Sequence, residues 1–441
     1  MMAARGFGRV ITICLCVAVC VEGYRSRSTS LTDSLNILSK NTGNINNSGI
    51  VNSGFNELDF RFGQNEDDKT NDEPEDKANA TGPKQAAEAK LTFPGNCQPS
   101  RTKLRDGSAC SGQTLFEDNF DSLNESVWQI EQYIPNTHPE HPFVSYQHLT
   151  TGQTISTAGG ILQITPKLQQ DLPGFTNDTI TSGTLNLNSG CTSTESRCEM
   201  TVDGADILPP VASGRITSKT FAFKYGKVYV RAKLPQGDWL YPEILLEPFL
   251  KKYGSPHYSS GVIKIATARG NRQLYYGQDD YSNKLLYGGP IMDLDCRETL
   301  LSGKLRSDGS AWGDNFHVYS LEWTPEHIVL AVDDEVWGRV KPRRSGLQAK
   351  FPSHCKRLPR SRLRAGSRMA PFDDHFYLTL GVAAGGITEF PDDSITSNNK
   401  RKPWRDGSRK AMLKFWRGTN SWLSTWKLPR LEIDYVKVVA L

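Results

Sequence analysis

The chain has 441 residues, a formal net charge of +4 and 37% hydrophobic residues, a length that admits one large domain with accessories or about two to three average ones. The near-balanced charge excludes a uniformly basic nucleic-acid binder, and no apolar run reaches the ~18–20 residues that a membrane span requires. Aromatic residues at 10%, with nine Trp, exceed what a disordered or simple helical-repeat chain carries.

Residues 1–23 carry Arg5 and Arg9, an apolar segment from Val10 to Val21, and Gly23 with Val21 two residues before it. This is the layout of a cleaved secretory signal; it places the mature chain outside the cell, in an oxidising compartment. Cys14, Cys16 and Cys20 leave with the signal, and Cys97, Cys110, Cys191, Cys198, Cys296 and Cys355 remain. Six cysteines admit fifteen pairings. The close spacings favour 97 with 110 and 191 with 198, which leaves 296 with 355. Asn46, Asn79, Asn124 and Asn177 open N-glycosylation sequons.

Residues 24–92 are rich in Asn, Ser, Asp and Glu, with nine acids against two bases between Glu57 and Asp76. Such a stretch buries too little apolar surface to offset its ordering entropy, and reads as a disordered acidic segment with at most a short helix at Leu31–Leu38. From residue 93 to 441 the pattern changes. In Gly226–Leu234, Val228, Val230, Ala232 and Leu234 alternate with Lys227, Tyr229, Arg231 and Lys233, the period of a half-buried strand. Asn315–Trp323, His327–Val332 and the run after Asp333-Asp334 read as consecutive strands, followed by His375–Gly386 and Leu431–Ala440. Long amphipathic helices are absent from the pattern. The expected fold is all-β, one large antiparallel sandwich with decorated loops.

Chemistry-bearing residues concentrate in GDWLYPEILLEP (Gly237–Pro248) and SSGVIKIATARGN (Ser259–Asn271). Asp238, Trp239 and Tyr241 suit a sugar cleft, where rings stack on pyranose faces and acids bond hydroxyls; the same rings equally suit a sandwich core. No CxxC cluster marks a zinc site. Asp434 alone is one ligand where calcium takes about six to eight. No metal or cofactor is expected.

Nine segments occur together and in order from about Cys97 to the end. They are LFEDNFDSLNESVW, SGRITSK, GDWLYPEILLEP, ATARGN, FHVYSLEWTP, MAPFDDHFYLTLGVAAGG, FPDD, KPW and FWRGTNSWLSTW. In these the chain resembles family 16 glycoside hydrolases, and more closely the insect β-1,3-glucan recognition proteins, also called Gram-negative bacteria-binding proteins. The resemblance implies a concanavalin-like jelly roll, and active members carry an E-x-D-x-x-E strand. There one glutamate attacks the anomeric carbon and the other protonates the leaving oxygen, about 5–5.5 Å apart, in a retaining hydrolysis. Residues i and i+2 share a strand face, and the i+5 residue rejoins it only through a bulge.

Aligned without a gap between SG and ARGN, this chain has Val262, Lys264 and Thr267 at the three acid positions. Valine forms no glycosyl ester and threonine is too weak an acid, so the expectation is a non-catalytic protein. The resemblance implies secretion into haemolymph and binding of microbial cell-wall polysaccharide in invertebrate innate immunity. By match to the GDW and KPW motifs it names Asp238, Trp239, Tyr241 and Trp404 as groove residues. Arg269 and Asn271, beside the former catalytic strand, are expected to bond sugar hydroxyls or to close a turn, and Trp312 and His317 are weaker candidates. The relatives carry an additional N-terminal β-sandwich glucan module, and the strand-poor residues 24–92 are not expected to form one.

Arg339–Arg368 holds eleven Lys/Arg and no acid, so the other residues sum to −7. Arg343, Arg344, Lys356, Arg357, Arg360, Arg362 and Arg364 make an expected surface for anionic polymers such as lipopolysaccharide or lipoteichoic acid. A solvated loop and a processing site for trypsin-like proteases are the alternatives. Two rival functions stand beside recognition. One is an active β-1,3-glucanase using Glu243 or Glu247, and the other an adaptor for an immune serine-protease cascade.

Overall fold

The alternation at Gly226–Lys233 forms a strand in which Gly226, Val228, Val230 and Ala232 are buried and their neighbours half-buried. It lies at the centre of one of two large sheets, between His317–Trp323 and Leu431–Val439. The structure is a computed structural model that describes residues 97–150 and 153–441. The expected signal, the acidic segment, the Leu31–Leu38 helix, Asn46 and Asn79 lie outside the described residues; Asn124 and Asn177 are exposed.

His317–Trp323, Ile328–Val332 and Glu335–Val340 form an antiparallel meander toward one edge of the eight-stranded sheet. Asp333 and Asp334 both take positive φ, 49° and 65°, the backbone of a two-residue hairpin whose twist matches its strands. The nine-stranded sheet runs through Phe376–Ala384, Leu240–Pro248, Val262–Thr267 and Leu285–Ile291. Facing residues of the two sheets, among them Ile244, Leu246, Ile263, Ile265, Leu380, Val230, Leu321 and Val436, share one hydrophobic core. This is the antiparallel sandwich that the strand pattern predicts. The longest described α-helix is the seven-residue Ala411–Arg417.

The cysteines pair as 97–110, 191–198 and 296–355. The sequence pattern does not predict how deeply the middle of the nine-stranded sheet is covered. All six residues of Val262–Thr267 and the first seven of Leu240–Pro248 are buried, so loops close over the face turned away from the sandwich core.

Candidate functional site

Val262 and Lys264 share the outward face of their strand. The register against Leu285–Ile291 then shifts between Lys264 and Thr267, and against Leu240–Pro248 between Ile244 and Leu245. This is the bulge that the motif spacing requires, and it pairs Thr267 with Tyr287. Val262 packs with Leu245 and Ile291 in a small apolar cluster apart from the main core, with Tyr258 and Leu301 against it. Thr267 is fully buried and its hydroxyl has no hydrogen-bond partner.

Lys264 is the centre of a buried ionic cluster. Its Nζ lies 3.1 Å from Glu140 and 3.3 Å from Glu389, carboxylates supplied by two loops. Arg297 pairs with both acids, 3.1 Å from Glu389. Arg269 reaches Glu389 at 3.1 Å and donates from Nε to its carbonyl oxygen at 2.8 Å. The Tyr287 hydroxyl also donates to Glu389. Three cations thus surround two acids. Burial alone would raise the Glu389 carboxyl, but Lys264, Arg269 and Arg297 outweigh it and hold it below the usual range. Glu140 is held low in the same way by Lys264 and Arg297.

The six expected groove residues are all buried, the core alternative for the rings. Trp239, Phe390 and Trp404 pack edge to face on one another, and Tyr241 on Phe390. The Trp404 indole donates to the Gly386 carbonyl at 2.8 Å. Asn271 closes a turn, accepting from the backbone N–H of Trp239 at 3.0 Å, where Trp239 has a φ of 67°. Gly270 explains why the GDW and ARGN motifs travel together: a Cβ there would sit 2.4 Å from the Gly237 carbonyl oxygen. Burial raises the Asp238 carboxyl to about 6, against a hydrogen bond from Asn271. Trp312 is buried and bonds the Lys284 carbonyl, while His317 pairs with Asp333.

Glu243 and Glu247 share Arg215, at 3.5 and 2.7 Å. Tyr146 donates to Glu243 at 2.8 Å and Thr379 to Glu247. Burial raises the Glu243 carboxyl; it would raise Glu247 too, but Arg215 prevails and lowers it.

A cavity of about 300 Å³ opens beside Val262 and reaches Glu247, Tyr258 and Tyr377. One wall, Thr192–Ser196, lies inside the Cys191–Cys198 loop. Its charges cancel in pairs: Lys219 with Glu131 at 3.0 Å, Arg215 with Glu247, and Lys251 with Glu195. Half-buried His138 lines it, and burial lowers this imidazole to about 4, against the pull of Glu140, leaving it neutral at physiological pH. Neutral walls with aromatic rings and hydroxyls suit a polyhydroxylated, uncharged ligand.

Four of the seven expected anion-binding residues hold the fold. Arg360 donates to the carbonyls of Gln348 and Pro352, Arg343 to Ala349 and Arg362 to Tyr253. Arg357 pairs with Asp295 at 2.8 Å. The guanidiniums of Arg343, Arg360 and Arg362 satisfy backbone carbonyls, which sequence charge does not reveal. Arg344, Lys356 and Arg364 are exposed and make no side-chain bond among the described residues. Cys296, His354 and Cys355 come within 4.8 Å of one another, but both sulfurs are spent in the disulfide, so this cluster offers no thiolate to a metal.

Residues 301–375 match the model of glycosyl hydrolases family 16. A β-1,3-glucan-binding protein of Hyphantria cunea is 63% identical over 348 residues, covering 79% of this chain and 72% of that protein. Gram-negative bacteria-binding protein 1 of Drosophila melanogaster is 37% identical, covering 79% and 69%. The chain belongs to the family of β-1,3-glucan-binding and Gram-negative bacteria-binding proteins. Among solved structures, the Rhodothermus marinus laminarinase is similar at a TM-score of 0.44 and 19% identity, covering 75% of this chain and 98% of that one.

In this member of the glucan-binding protein family, Glu140 and Glu389, which neutralise Lys264, and Arg297, which pairs with both acids, escape a sequence reading because they lie in segments remote from the Val262–Thr267 strand. Tyr258 was missed too, although it stands just before the SGVIKIATARGN motif. No helix among the described residues is long and apolar enough to cross a membrane.

Proposed function

We propose that the protein is a secreted pattern-recognition protein that binds microbial surface polysaccharide, β-1,3-glucan foremost, without cleaving it. The cavity beside Val262 carries this reading: its charges are cancelled in pairs, and Tyr258 and Tyr377 offer rings to a sugar. Relatives named for binding glucan or Gram-negative bacteria support it. Three disulfides fit an extracellular address such as haemolymph. Non-catalysis is supported by the outward positions of the Val262–Thr267 strand, where an apolar contact and a locked ammonium stand in place of carboxylates. Glu243 and Glu247, the acids of a rival hydrolase, are tied to one guanidinium.

The exposed cations Arg344, Lys356 and Arg364 extend the reading to anionic polymers such as lipopolysaccharide or lipoteichoic acid, with affinity that falls as salt rises.

Titration with a soluble β-1,3-linked hexasaccharide tests the cavity. Tyr258→Ala removes a ring whose burial against sugar is worth ~1.5–3 kcal/mol, so affinity is expected to drop about tenfold or more. Glu247→Gln, which keeps the shape of the side chain, is expected to weaken binding as well. Unchanged affinity in both variants would move the sugar site elsewhere.

A further inference from the structure

We propose that the outer face of the eight-stranded sheet carries a second polysaccharide-binding groove, centred on Tyr229 and Tyr435 and taking a neutral β-linked glucan chain. The inference rests on the glucan-binding reading and adds a site on the side of the sandwich away from the Val262 cavity.

The sequence alternation puts Tyr229 on the solvent side of Gly226–Lys233. Tyr435 arrives there by a different device. In Leu431–Val439 the buried residues are Leu431, Ile433, Val436 and Val438. The step of three between Ile433 and Val436 accompanies a register shift against the neighbouring strand between Arg231 and Ala232. This bulge turns both Asp434 and Tyr435 outward. Tyr229 lies opposite Lys437 and Arg231 opposite Tyr435, so the two tyrosines are diagonal cross-strand neighbours, about 7–8 Å apart.

Between them runs an open groove of about 460 Å³, lined by Glu117, Asn119, Tyr229, Tyr435, Lys437 and Val439. Its chemistry selects the occupant. Glu117 neutralises Lys437 at 3.4 Å, and Arg231 neutralises Asp434 beside it, so no uncompensated cation is offered to a phosphate or sulfate. Neither phenol hydroxyl nor the Asn119 carboxamide bonds to protein among the described residues, so all three are free for ligand hydroxyls. Its six lining residues are far fewer than the ~20–30 a side of a standard protein interface. Two adjacent ring faces with free donors and no net charge match consecutive units of an uncharged sugar chain.

Two sites on opposite faces let one molecule engage two strands of a particle, so avidity on insoluble glucan exceeds the affinity for a short oligosaccharide. The test uses the full chain, soluble β-1,3-linked hexasaccharide and insoluble β-1,3-glucan particles. The variants are Tyr229→Thr with Tyr435→Thr, which keep strand-forming residues, and Tyr229→Phe with Tyr435→Phe, which keep the rings; thermal melting checks the fold.

The wild type is expected to bind two hexasaccharides per chain. The threonine pair should bind one and lose about tenfold or more in apparent affinity for particles. The phenylalanine pair should keep most of that affinity. Wild-type stoichiometry and particle affinity in the threonine pair, with sugar lost on Tyr258→Ala, would overturn the second groove and leave the first. Absence of any glucan binding by the wild type would overturn both.

Discussion

Replacing Lys264 by aspartate is expected to destabilise the protein severely rather than to restore a glycosidase-like strand. The ammonium sits 3.1 Å from Glu140 and 3.3 Å from Glu389 with all three side chains buried. Lys264→Asp would place a third carboxylate against these two with only Arg269 and Arg297 to balance them. Leaving buried charge uncompensated in this way costs roughly 3–5 kcal/mol or more, a large part of a typical folding free energy of about 5–15 kcal/mol. Lys264→Met fills similar space without charge and leaves two cations for two acids. It is expected to cost about 2–3 kcal/mol, the worth of charged hydrogen bonds lost. Urea unfolding at pH 7 separates the two; a Lys264→Asp midpoint equal to wild type would show that the cluster is not structural.

The pH dependence follows with its sign. The carboxyls of Glu389 and Glu140 titrate at lower pH in the folded than in the unfolded state. Their stabilisation is therefore complete above the ordinary carboxylate range and is lost as pH falls through the depressed folded values. In Lys264→Met the depression weakens, so the acid limb of the stability curve should be shallower and end at higher pH, with its onset unchanged.

The second large effect concerns the Cys296–Cys355 disulfide, which closes a separation of 59 residues. By loop-closure entropy, a bridge of that span stabilises by about 4 kcal/mol. Cys296→Ala with Cys355→Ala should lower the urea midpoint accordingly. Because Cys355 lies within the basic run, the same change should release Arg344, Lys356 and Arg364 from their anchored loop. Cleavage by trypsin between residues 339 and 368 should then become several-fold faster than in wild type. A variant as stable and protease-resistant as wild type would remove the tether from the account.

Strand positions and the family likeness were legible because both rest on local pattern. Period two marked Gly226–Lys233, and the Asp333-Asp334 turn fixed the hairpin after Ile328–Val332. Even the bulge before Thr267 followed from spacing along one strand. The site was less legible. Trp239, Tyr241 and Trp404 have the composition of a sugar platform, and only tertiary packing decides that their ring faces meet Phe390 and one another. Glu140 and Glu389 are 124 and 125 residues from Lys264 in sequence, so no window of sequence joins them. The basic run was visible as charge, but which guanidiniums cap carbonyls is set by short turns that periodicity does not mark. Tyr435 faces outward only because a bulge breaks the alternation of its strand.

Recognition without hydrolysis is tested directly by one measurement. Purified protein is incubated with insoluble β-1,3-glucan, and both co-sedimentation and release of reducing ends are followed at pH 5 to 8. The protein is expected to pellet with the glucan, and reducing ends to stay at the level of a protein-free control. Release of reducing ends that disappears on Glu243→Gln or Glu247→Gln would contradict it.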